Sequence, residues 1–128
     1  MQQGAKFAVT LLAGFALGAG AIEGLHAQAA KKPAYVVAEV QVTDPPTFQD
    51  YAAKATKTVK DAGGRLLVLP AAAETKEGEP VAGKIVIIAF DSMATAEKWY
   101  STPPYQPLIA ERQKAAKTRL YFVEGAPQ

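Results

Sequence analysis

From Tyr35 to Val42 the side chains alternate, and directly after Thr43-Asp44-Pro45-Pro46 the apolar period lengthens to that of a helix. This switch of period constrains the fold more than any other feature of the chain. Val36, Ala38, Val40 and Val42 share one face of a first strand, and Tyr35, Val37, Glu39 and Gln41 share the other. Asp44 is placed to cap a helix with Pro45 at its first position. Phe48, Tyr51, Ala52, Ala55, Val59 and Ala62 then form one apolar stripe, and Gly63-Gly64 supplies a left-handed cap. A second short strand is expected over 65–69, closed by Pro70, and a loose connection over 71–83. A third strand over 84–90 is apolar on both faces and therefore central. Asp91-Ser92 begins a short helix with Met93, Ala96, Trp99 and Tyr100, which Pro103-Pro104 breaks. Tyr105, Leu108, Ile109, Arg112 and Ala116 continue on a second helical face, and 118–124 reads as the last strand.

The order β-α-β-β-α-β is the split βαβ of ferredoxin-like folds, so the expected class is α+β: a four-stranded antiparallel sheet with its helices on one face. The other face would carry Tyr35, Val37, Glu39, Gln41, Arg65, Leu67 and Tyr121. Such a mixture suits neither water nor a closed core. Two copies meeting through it would form a homodimer, a dimeric α/β barrel, and so add to a limited core.

The chain of 128 residues is 49% hydrophobic and 20% charged, with net charge +2. Those values suit one globular domain and give no footprint for a nucleic-acid partner. Residues 1–29 read as a signal peptide: Lys6 precedes an apolar run over 7–22, and Ala27-Gln28-Ala29 has the small–x–small ending of a cleavage site. Cleavage is expected after Ala29, with Ala27 as the second placement. That leaves a single domain at 30–128, periplasmic or secreted, with no membrane segment. Removal would also take His26, the chain's single histidine, and there is no Cys. No transition-metal site, haem or other cofactor is therefore expected.

Tyr35 to Glu39, Thr43-Asp44-Pro45, Gly63-Gly64-Arg65, Phe90-Asp91-Ser92-Met93, Trp99-Tyr100, Pro104-Tyr105, Arg112, Arg119 and Val123-Glu124-Gly125 together resemble the family known as domain of unknown function 1330. The resemblance spans residues 34–125. It implies the dimeric α/β-barrel fold and an exported protein, and it implies no particular activity. Pro70 to Ala73 departs from the polar turn of that family.

Glu39 is the candidate for chemistry, because an acid within an alternating strand needs a partner if it is dry. Arg65, opening the second strand, is expected to approach it, with hydroxyls from Tyr35 and Tyr121. Arg112 on a core-facing stripe needs an acidic or carbonyl partner, or else clamps an anion. Trp99 and Tyr105 complete the ligand-binding candidates. Two readings follow. One is a homodimer that binds a small molecule in the barrel or at the interface, without chemistry. The alternative is a cofactor-free enzyme in which Glu39 moves a proton on a small aromatic or carbonyl compound.

Overall fold

Strand β1 (Ala34–Val42) buries every second residue from Ala34 to Val40, as its alternation requires, while Val42, expected on the same face, is exposed at the strand's end. Helix α1 (Pro45–Asp61) starts where Asp44 Oδ1 accepts the Thr47 N–H at 3.3 Å. It ends in a Schellman turn: Gly64 N–H donates to Val59 O at 2.8 Å and Gly63 N–H to Lys60 O at 3.0 Å. Gly63 has φ +83°, a conformation open to glycine at little cost. Gly64 is required for a different reason, since a Cβ there would lie 2.7 Å from both Phe90 and Val59.

Strands β2 (Arg65–Ala72) and β3 (Lys84–Phe90) follow, then α2 (Met93–Ser101), α3 (Gln106–Ala115) and β4 (Ala116–Glu124). Ser92 Oγ caps α2 by accepting the Thr95 N–H at 3.1 Å. The strand order is β2-β3-β1-β4. All three adjacent pairs are antiparallel, and both crossovers skip one strand. Val36, Val40, Ile88 and Phe90 from the sheet meet Phe48, Val59, Trp99, Tyr105 and Leu108 from the helices in one core. The class expected from the period switch is the class observed. This computed structural model describes residues 31–128. The expected signal peptide, residues 1–29, lies outside them. Lys32–Ala126 forms one compact unit. No helix among the described residues is long and apolar enough to cross a membrane.

Three local expectations need correction. Strand β2 does not stop at Pro70 but runs to Ala72. It is an edge strand, where a missing N–H is tolerated, and its register against β3 shifts between Val68 and Ala71, around Pro70. An earlier shift, between Leu66 and Val68, places Val68 rather than Leu67 opposite Ile87. The last strand begins at Ala116, because α3 ends at Ala115 with no intervening turn.

Candidate functional site

The sheet separates the candidate residues into two groups. On the open face, Glu39 stands in a row with Ile85 on β3 and Arg119 on β4. Its Oε2 accepts the Tyr121 hydroxyl at 3.0 Å, and its Oε1 lies 3.6 Å from Arg119 Nη1. The Glu39 side chain is only 13% exposed, whereas that of Arg119 is 77% exposed. Donation to Glu39 raises the Tyr121 pKa above its ordinary value, because loss of the phenol proton would set two anions together. The adjacent row is apolar: Ile87, Val37 and Tyr121, with Val68 at the edge.

Arg65 does not reach Glu39. It pairs in register with Ala89, two strands from β1, and its Nη1 lies 3.7 Å from Asp91 Oδ1. The cation at Glu39 is Arg119, which the candidate set omitted although it alternates with Tyr121 and must share that residue's face. Tyr35 offers no hydroxyl contact to Glu39 among the described hydrogen bonds. Its ring lies against Gly125, where an added Cβ would come within 2.7 Å.

On the helix side, α1 and α3 are held together where Lys54 Nζ meets Asp50 at 3.0 Å and Glu111 at 3.2 Å. Thr43 and Asp44 N–H groups both donate to Ala115 O, fixing the start of α1 beside the end of α3. Tyr51 is thereby set opposite Tyr105 and Arg112. Arg112 is 6% exposed. Its Nη1 donates to Tyr105 Oη at 2.7 Å, and the Tyr105 and Tyr51 hydroxyls are 2.9 Å apart. The guanidinium carbon lies 5.9 Å from the Tyr51 ring centroid. Arg112 Nε is buried with no partner. Burial pushes the Tyr105 hydroxyl well above its ordinary range, so it is a neutral phenol at neutral pH. The acidic or carbonyl partner expected for Arg112 is replaced by a phenol.

These three residues are part of the lining of a cavity of about 120 Å³ between the sheet and α1. Val36, Val40 and Ile88 line its sheet side, and Trp99 packs there with its ring centroid 4.2 Å from that of Tyr105. Trp99 Nε1 is satisfied by Thr58 Oγ1 at 3.0 Å. The lining also includes exposed Leu69 and Pro70, so the cavity reaches the surface between α1 and β2. Trp99, Tyr105 and Arg112 thus share the lining of one cavity, while Tyr35, Glu39, Arg65 and Tyr121 are not in it. Tyr51 was missed; a tyrosine on a core-facing stripe needs a hydroxyl partner, and that was its signal. Among the described residues no three His, Cys, Asp or Glu side chains gather to hold a metal.

A four-stranded antiparallel sheet in the order β2-β3-β1-β4, with its helices on one face, defines a ferredoxin-like α+β domain. Residues 33–126 match the family described as Domain of unknown function (DUF1330), and the chain belongs to that family. No curated protein matches it. A protein of unknown function from Rhodopseudomonas palustris shares the fold at 15% identity and TM-score 0.62, over 85% of this chain and 94% of that one. SnoaB, a cofactor-independent oxygenase from Streptomyces nogalater, is similar at 13% identity and TM-score 0.52, over 77% of this chain and 96% of its own. At these identities the likeness is one of fold.

Proposed function

We propose that the protein is an exported homodimer that binds a small molecule, without transforming it, in the cavity between the sheet and the helices. One observation carries this reading: a mostly apolar cavity that opens to the surface and has a buried Arg112–Tyr105–Tyr51 cluster in its lining. Apolar walls with a few convergent polar groups are what small-molecule sites share. The binding place is therefore moved from the barrel face to the helix side. The apolar row of Val37, Ile87 and Tyr121 supports association of two copies through the open face. Export rests on the leader alone.

Trp99 is the chain's one tryptophan and lines the cavity, so its fluorescence reports on occupancy. A panel of small aromatic and aliphatic compounds should include some that change this signal saturably. Ala55→Leu, which fills the cavity from α1, should abolish the response. A saturable response unaffected by that filling would place binding elsewhere. Light scattering should give twice the chain mass, and intact mass from the periplasm should begin at Ala30.

The second reading, a cofactor-free enzyme, draws on the shielding of Glu39 by Tyr121 and Arg119. It requires turnover that Glu39→Gln removes while the fold persists. Binding is preferred because Glu39 already has both an ion-pair and a hydrogen-bond partner, whereas Arg112 has an unused donor.

A further inference from the structure

Arg112 carries a full positive charge inside the domain, and it forms no salt bridge among the described residues. Its hydrogen bond goes to a neutral phenol, which cannot balance that charge. A buried ion without a counter-charge is costly, and a buried donor left unmade adds to the cost. The Nε of this same side chain is such a donor and is itself closed off from solvent, while the Arg112 side chain lines the cavity.

The hydroxyl pair bears on what lies next to it. Arg112 Nη1 donates to Tyr105 Oη. When the Tyr105 proton is in turn given to Tyr51 Oη, 2.9 Å away, the Tyr51 proton remains to donate. Such a chain strengthens its last donor, because each bond polarises the next. The Arg112–Tyr51 part of the lining then offers a guanidinium and one phenol proton, both suited to an oxygen anion.

Size and charge narrow the occupant. An apolar cavity of about 150 Å³ accommodates benzene; this one, at about 120 Å³, takes a body of up to about one six-membered ring only because it opens at Leu69 and Pro70, where part of the ring can stand in the mouth. One cation balances one negative charge; a phosphate dianion would leave an excess charge among apolar walls. A planar carboxylate also matches the guanidinium edge.

Resting on the small-molecule reading above, we propose that the cavity takes a compact monocarboxylate, single-ringed or short and branched. Its apolar body fills the space between Val36, Ile88 and Trp99, and its carboxylate lies against Arg112 and Tyr51.

The test compares benzoate with benzamide and toluene on the wild-type protein, by calorimetry and by amide NMR shifts around the cavity. Benzoate should bind about tenfold or more tightly than either neutral probe, the difference expected for hydrogen bonds to a charged group. Arg112→Met should erase that preference, and Tyr51→Phe should weaken benzoate severalfold while leaving toluene unchanged. Benzamide or toluene binding as tightly as benzoate in wild type would overturn the carboxylate proposal and leave the cavity reading standing. So would a benzoate preference that persists in Arg112→Met. If none of the three probes shifts the resonances of Tyr51, Trp99 or Tyr105, cavity binding itself fails. The wild-type comparison holds even if Arg112→Met does not fold.

Discussion

Arg112 is costly to the unliganded protein. Replacing it with methionine removes the unpaired charge and leaves the Tyr105 and Tyr51 hydroxyls bonded to each other. Arg112→Met should therefore change the unfolding free energy of the free protein by less than about 1 kcal/mol, or raise it, in urea denaturation. A loss of several kcal/mol would mean that Arg112 balances a charge within the fold. Gly63 and Gly64 offer a contrast between backbone and packing. Gly63→Ala meets no atom within 4 Å, so its expected cost of about 1–2 kcal/mol comes from the left-handed backbone alone. Gly64→Ala presses on Phe90 and Val59 and should cost about 1–3 kcal/mol. Trimming Val59 to alanine should relieve part of the second penalty and none of the first, which a double-mutant cycle reads directly.

Among the elements, α1 depends most visibly on its ends. Asp44→Ala removes the acceptor for the Thr47 N–H and should lower stability by about 1 kcal/mol in chemical denaturation. That cap, the Gly63-Gly64 stop and the alternation of β1 were all legible in the sequence, because each is a local device. Strand β2 was not. Its two register shifts are set by pairing with β3, and no spacing within 65–72 announces which residue is left over. The same limit governed the site. Glu39 was identifiable as an acid needing partners, but assigning it Arg65 required the strand order. Arg112 was identifiable as a core-facing cation. That its neighbours would be two phenols depended on how α1 packs across α3, a long-range fact beyond the reach of either helix's own pattern.

For the whole molecule, two tyrosines set the alkaline limit. Tyr105, through burial, and Tyr121, through donation to Glu39, both hold their protons above the ordinary value of 10.0. A raised pKa means that the folded state prefers the neutral phenol. Their contribution is thus fully present below about pH 10 and is lost as pH rises through the folded values. Melting temperature should decline above about pH 10, and Tyr121→Phe should remove part of that decline while lowering stability at neutral pH by about 1 kcal/mol, for the lost hydrogen bond to Glu39. Ultraviolet titration of the native protein should show Tyr105 and Tyr121 ionising above the ordinary value of 10.0. Strand β2 has a consequence at this scale as well. Its interrupted register and Pro70 deny an incoming strand the regular run of donors and acceptors that lateral addition needs. Continuous growth would join the β2 border of one copy to the β4 border of the next, and half of every such junction is spoiled. Lateral growth that runs from β2 of one copy to β4 of the next is therefore disfavoured at every junction.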